Sequence, residues 1–241
     1  MKYKYLSSTI LWLTFFSIAM AFLESSVVVY LRALYYPDGF DFPLKTIDEN
    51  IALTEVLREF ATLIMLLGAG IIAGKNFSQR FAYFIYIFAI WDIFYYAFLK
   101  LLLDWPASFL TWDILFLIPV AWIGPVIAPI ILSILMISLA LIILYFDEKL
   151  QNVKIKKTEW LLLVIGSIIA IVSFTIDYCS FVIQNSAISE IWSLPSREKL
   201  FDLSLQYIPQ SFSWLIFIFS LIFILSGIIH FIFRNFNLLK K

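Results

Sequence analysis

The stretch IALTEVLREFATLIMLLGAGIIAG, residues 51–74, decides how the rest of the chain is interpreted. It is apolar and long enough to cross a bilayer as a helix, which takes about 20 residues. Near its start it carries Glu55, Arg58 and Glu59. The two glutamates share one face of a helix and the arginine lies beside them. Ionisable groups in hydrocarbon cost roughly 2.5–3.5 kcal/mol each at a helix centre. The stretch therefore indicates a buried polar site inside a membrane protein.

The composition supports a membrane protein. Of the 241 residues, 63% are apolar and 14% are charged, whereas soluble domains average about 45–50% apolar and about 25% charged residues. The formal net charge is zero, so nothing indicates a nucleic-acid partner. The chain has one cysteine, Cys179, and one histidine, His230. These counts exclude an internal disulfide and a haem held by two histidines of this chain, and they argue against a His-rich zinc site.

Apolar runs of spanning length occur six times. The sequence predicts an all-α integral membrane protein, a six-span transmembrane helical bundle that forms a single transmembrane domain over residues 1–241. The predicted spans cover residues 9–31, 51–74, 81–103, 114–146, 160–183 and 211–233. The first span could be mistaken for a cleaved secretory signal, because Ala19 and Ala21 flank Met20. The chain stays largely apolar up to Leu31, which favours a span.

The basic residues predict the orientation. The termini and the segments on their side of the membrane hold eleven Lys and Arg residues, while the segments on the other side hold five. An excess of positive charge marks the cytoplasmic side. We therefore expect both termini in the cytoplasm and the protein in a cytoplasmic-type (inner) membrane.

The fourth run is irregular, because its 33 residues exceed the length of one span. Pro119, Gly124 and Pro125 lie in its first half, and each proline disrupts a helix. The sequence predicts a Pro/Gly-broken fourth span that lines a binding site, since broken backbone at membrane depth needs protein or a water-filled cavity around it. A kinked or tilted helix is the alternative. The expected lining residues of the pocket are Tyr96, Pro119, Trp122 and Pro125.

All five acids inside the predicted spans lie at the midplane or toward the outer side. The candidate proton or cation site comprises Glu24, Glu55, Arg58, Glu59, Asp92 and Asp177. If all five acids were ionised, one arginine could not balance them. Some of them must therefore bind protons, bind a cation or contact water. Alternatively, the second span begins near Ala61, and Glu55 and Glu59 lie in an interfacial helix.

Three functional classes are compatible with such a site. The first, which we favour, is proton- or cation-linked binding or transport of a small or lipophilic molecule. The second is a membrane enzyme acting on a lipid or quinone-like substrate, with carboxylates as acid and base or as ligands of a hard metal such as Mg²⁺ or Mn²⁺. The third is a non-catalytic scaffold that contacts other membrane subunits. The lipid bilayer is the expected partner, and the sequence identifies no cofactor.

Cysteine labelling in intact cells tests the orientation. In a Cys179→Ser background, Ala107→Cys should react with a membrane-impermeant maleimide, because residue 107 follows the third span on the predicted outer side. Thr158→Cys should react only after the cells are permeabilised. The reverse pattern would show that the basic residues have been misinterpreted.

Overall fold

The computed structural model describes residues 2–118, 120–185 and 205–240. In this part of the chain six helices are long and apolar enough to span a membrane. They are α1 (Lys2–Tyr35), α2 (Glu49–Ala73), α3 (Phe77–Leu103), α4 (Ile127–Leu150), α5 (Lys157–Asn185) and α6 (Trp214–Leu239). The prediction of an all-α, six-span membrane protein is confirmed.

Helix α3 is the centre of the bundle, because it packs against α1, α2 and α4. Helix α6 packs along α5 and more lightly on α4. The main core lies between these helices and includes Met20, Leu66, Ile87, Ile143 and Phe231, all buried. Helix α2 packs mainly on α3 and leaves much of its surface exposed, as a helix at the lipid-facing edge of a bundle does.

The fourth predicted span begins too early in the sequence. Helix α4 starts at Ile127 and runs without interruption to Leu150, and Pro129 lies in its first turn, where proline is tolerated. The residues before it form a hairpin of two antiparallel strands, β1 (Trp112–Phe116) and β2 (Trp122–Pro125). The predicted broken helix is therefore a strand pair followed by a continuous helix. Pro119 lies outside the described residues.

The hairpin packs closely against α5. A Cβ atom at Gly124 would lie 2.8 Å from the ring of Phe174 and 3.1 Å from that of Phe212. Phe174 also stacks with Trp122, with the ring planes 10° apart. Glycine in β2 thus allows the close approach that seats the strands on these aromatic rings. We call the end of the bundle that carries the hairpin and the loop of residues 36–48 the hairpin end.

The start of α2 is fixed by a side-chain cap. Asp48 Oδ1 accepts hydrogen bonds from the backbone N–H groups of Asn50, at 2.9 Å, and Ile51, at 3.4 Å. An aspartate at this position satisfies donors that have no partner within the helix. Glu55, Arg58 and Glu59 therefore lie within one uninterrupted helix that continues to Ala73.

Helices α5 and α6 are in contact through glycines. A Cβ atom at Gly166 would lie 2.6 Å from Ile224 Cγ1 and 3.0 Å from the carbonyl oxygen of Ser220. From the other side, a Cβ atom at Gly227 would lie 3.2 Å from Leu163. Small residues allow close helix packing in membranes, where van der Waals contact is a main source of association.

We expect Gly166→Val to destabilise the protein by about 1–3 kcal/mol, because the added side chain must push α6 away. Thermal unfolding of the purified protein in detergent measures the effect. Gly68→Val is the matched control, since a Cβ atom at Gly68 has no neighbour within 4 Å. Equal unfolding midpoints for the two variants would contradict the proposed role of the glycine contact.

Candidate functional site

A cavity of about 490 Å³ lies at the hairpin end. Its walls come from α1, α2 and α3, from the loop of residues 36–48 and from the hairpin, with Tyr178 of α5 and Leu205 completing them. Five carboxyl groups and three basic side chains line it. They are Glu24, Glu55, Glu59, Asp92, Asp113, Arg32, Lys45 and Arg58. The charged residues of the predicted site therefore lie around one cavity, with the exception of Asp177.

Arg58 joins two of these acids. Its Nε and Nη2 atoms donate to Glu55 Oε2 over 2.9 and 2.7 Å, one helical turn away. Its Nη1 atom forms an ion pair with Glu24 of α1. All three side chains are largely buried. The cluster links α1 to α2, and one positive charge in it faces two negative charges.

Glu59 and Asp92 have different partners. Glu59 Oε2 accepts a hydrogen bond of 3.0 Å from the backbone N–H of Leu117, which follows β1. Asp92 Oδ2 accepts one of 2.8 Å from the Ser133 hydroxyl of α4. Within the described part of the chain, neither carboxylate forms an ion pair. Glu59 and Asp92 are thus the two cavity acids without a paired cation.

Asp113 of β1 is the fifth acid, and it was not among the predicted site residues. It is 3% exposed. Its Oδ2 atom accepts a hydrogen bond of 3.2 Å from the Tyr96 hydroxyl, and its Oδ1 atom lies 3.8 Å from Arg32 Nη2. Burial raises the pKa of the Asp113 carboxyl to about 6, although Arg32 and Tyr96 act to lower it.

Arg32 lies just beyond the first predicted span, which ends at residue 31, but α1 continues through it to Tyr35 and the side chain is buried. A signal for this placement exists in the sequence. Glu24, Val28 and Arg32 are four residues apart, so they continue one face of a helix, and all three line the cavity. Asp113 lies in strand β1. The sequence was interpreted as a helical span from residue 114 onward, so this strand and the burial of Asp113 were not predicted.

Other predicted site residues lie elsewhere. Asp177 accepts hydrogen bonds from the Tyr207 hydroxyl, at 2.6 Å, and from the backbone N–H of Gln210, at 3.2 Å, and so holds the segment before α6 against α5. Trp122 and Pro125 are not among the described residues that line the cavity. The hairpin contributes Ile114, Leu115, Leu117, Val120 and Ala121 instead. Tyr96 lines the cavity.

At the opposite end of the bundle, Glu159 and Asp147 have several partners each. Glu159 is completely buried and accepts hydrogen bonds from Arg234 Nε, at 2.6 Å, Arg234 Nη2, at 2.9 Å, and the backbone N–H of Lys156, at 2.7 Å. His230 Nδ1 lies 3.2 Å from the same carboxylate. These contacts join α5 to α6, so we interpret them as structural.

Asp147, near the end of α4, resembles Glu159 in this respect. It accepts hydrogen bonds from Gln79 Nε2, at 2.7 Å, Asn76 Nδ2, at 3.1 Å, and the backbone N–H of Val153, at 2.9 Å. Glu159 and Asp147 thus accept several hydrogen bonds each, whereas Glu59 and Asp92 accept one each from described residues.

The cavity offers carboxylate oxygens and arginine donors to a ligand. Among the described residues, no group of three or more His, Cys, Asp or Glu side chains is placed to hold a metal ion. Neither a protein-family model, nor a curated protein, nor a solved structure matches the chain. A function is therefore inferred from the cavity itself.

The pKa of Asp113 predicts a pH dependence of stability. Its value is about 6 in the folded protein and about 3.9 in an unfolded chain, so between these values the folded state holds the proton more tightly. The free energy of unfolding should fall as the pH rises from about 4 to about 6, by at most about 3 kcal/mol. Asp113→Asn should flatten this slope in unfolding measurements.

Asp104→Asn is the control. Asp104 is fully exposed and the Lys100 ammonium lowers its pKa, so this group titrates below that pH window. Parallel pH profiles for wild type and Asp113→Asn would rule out a contribution from the buried carboxyl.

Proposed function

We propose that the protein carries out proton- or cation-linked binding or transport of a small or lipophilic molecule in the acidic cavity at the hairpin end. One observation carries the proposal. Glu59 and Asp92 line the cavity, and neither forms an ion pair with another described residue.

An unpaired carboxylate in such a place is costly. Moving an ion out of water into a protein interior costs several kcal/mol even after relaxation. A neutral hydrogen-bond donor offsets only part of this cost, because a net hydrogen bond to a charged group contributes about 1.5–3 kcal/mol. Binding a proton or a cation removes the cost. Glu59 and Asp92 are therefore our candidates for the groups that bind it.

The size and lining of the cavity favour a molecule larger than an ion. Ligand pockets commonly measure about 300–1,000 Å³ and combine apolar walls with a few polar groups. The cavity has such walls, to which α1 contributes Val28 and Leu31 and the hairpin contributes Ile114 and Leu117. A small or lipophilic molecule fits this combination.

The hydrogen bond between Leu117 and Glu59 suggests how ion binding is linked to the ligand. A backbone N–H binds a carboxylate more strongly than it binds a neutral carboxylic acid. Protonation of Glu59 thus weakens the contact that holds the tip of the hairpin to α2. Because the hairpin is a wall of the cavity, the charge of Glu59 and the shape of the binding site are coupled.

The predicted orientation would place the cavity on the outer side of a cytoplasmic-type membrane. In that arrangement both termini, and Glu159 and Asp147 at the same end of the bundle, face the cytoplasm. The lipid bilayer surrounds the exposed apolar faces, and molecules could enter the cavity from the outer aqueous phase or from the outer leaflet.

The double variant Glu59→Gln/Asp92→Asn tests the proposal on the full chain in neutral-lipid nanodiscs. Infrared difference spectra between high and low pH report protonated carboxyl groups, and unfolding midpoints in Na⁺, K⁺ and Mg²⁺ report cation binding. Wild type should respond to protons or to a cation, and the double variant should lose most of that response.

Asp38→Asn is the matched control, because Asp38 is an exposed acid outside the cavity. The two single variants replace the double variant if it does not fold. Proton and cation responses equal to those of wild type in the Glu59 and Asp92 variants would refute the proposal.

A further inference from the structure

Arg32 differs from the other arginine of the cavity. Its side chain is 10% exposed and lines the cavity. The centre of its guanidinium group lies 3.8 Å from the centroid of the Trp105 ring and 4.6 Å from that of Phe40. Its nearest acidic partner, Asp113 Oδ1, lies 3.8 Å from Nη2, which is beyond hydrogen-bonding distance. Arg32 makes no side-chain hydrogen bond to another described residue.

Such an arrangement leaves donors available. A guanidinium group carries five N–H donors along its edge and none on its face. Stacking on Trp105 uses the face and fixes the plane of the group. Because Arg32 lines the cavity, these donors are open to a ligand that accepts hydrogen bonds.

The contacts of Asp113 prevent it from acting as the hydrogen-bond acceptor of Arg32. Its other oxygen accepts the hydrogen bond from Tyr96, and its backbone is paired with Gly124 across the hairpin. By contrast, Arg58 in the same cavity forms hydrogen bonds of 2.7 and 2.9 Å with Glu55. Asp113 therefore balances the charge of Arg32 but accepts no hydrogen bond from it.

We infer that the molecule bound in the cavity carries an oxyanion, a carboxylate or a phosphate, and that this group binds the edge of the Arg32 guanidinium. The inference rests on the proposed function, because that function places a ligand in the cavity. Arginine suits such groups, since its planar fork matches two oxygens of a carboxylate or phosphate. Lys45, also in the lining, adds positive charge to the cavity.

The position of Arg32 sets the layout of the ligand. Glu24, which pairs with Arg58, lies eight residues before Arg32 on α1, or about 12 Å along the helix axis. The oxyanion would lie at the Arg32 end, and the proton or cation at the acidic groups deeper in the bundle. The substrate class is thus a zwitterion or an anion that binds together with a proton or a cation.

Binding to purified full-length protein in phosphatidylcholine nanodiscs tests this inference. Inorganic phosphate and octanoate are titrated by calorimetry, and phosphatidic acid is introduced into the discs and detected by native mass spectrometry. At least one of these should bind wild type. Arg32→Gln should weaken that binding by about tenfold or more, because hydrogen bonds between charged groups are lost. Asp113→Asn should strengthen it, since a competing negative charge is removed.

The three binding measurements distinguish the sources of the oxyanion. Binding of phosphate or octanoate indicates a soluble ligand, and binding of phosphatidic acid alone indicates a lipid headgroup. Arg80→Gln is the matched control, because Arg80 lies at the opposite end of the bundle, where its Nε atom donates to the carbonyl oxygen of Gly74. Arg32→Lys keeps the charge without the planar fork, and it serves in place of Arg32→Gln if that variant does not fold.

Failure to bind any of the three oxyanions, or equal binding by wild type and the Arg32 variants, would overturn the inference. The proton and cation responses of Glu59 and Asp92 are measured separately and do not involve Arg32. Failure of the inference can therefore be distinguished from failure of the proposed function.

Discussion

Buried carboxyl groups must be balanced, and several of the contacts that join the helices of this bundle meet this constraint. The end opposite the hairpin meets it with well-matched partners. There Arg234 donates two hydrogen bonds to Glu159 in a bidentate arrangement. Asp147 accepts hydrogen bonds from two side-chain amides and one backbone N–H. At the hairpin end five acids face three basic side chains around a cavity. Glu159 and Asp147 thus have several donors each, whereas Glu59 and Asp92 have one hydrogen bond each and no ion pair among the described residues.

The hairpin shapes the incomplete end. It brings Asp113 to Tyr96 and the N–H of Leu117 to Glu59, so a pair of short strands supplies polar partners that the helices lack. An irregularity in strand pairing between Ile114 and Phe116 lies just before Leu117. Bulges of this kind often redirect groups near functional sites. The aromatic rings of Phe40 and Trp105 then fix the plane of Arg32 beside the strands.

The sequence predicted the helices well, because apolar runs of spanning length have few alternatives in a membrane. It also identified acids that line one cavity, since charge inside such a run is costly wherever it lies. It failed for residues 114–126, because a short apolar run rich in β-branched and aromatic residues is hard to distinguish from a buried helix by periodicity. Arg32 and Asp113 were missed because their burial depends on where α1 ends and on the strands. The position of Asp177 depends on a tertiary contact with Tyr207, which no local pattern encodes.

The glycines at the end of α2 have a mechanical consequence. A Cβ atom at Gly70 would lie 2.8 Å from the backbone nitrogen of Phe84, and one at Gly74 would lie 2.5 Å from that of Arg80, so the end of α2 is in close contact with α3. From Gly70 to Glu59 the helix extends for about 16 Å. If α2 tilts about this contact by a few degrees, Glu59 moves by about an ångström. That displacement is comparable to the margin within which a hydrogen bond forms or breaks.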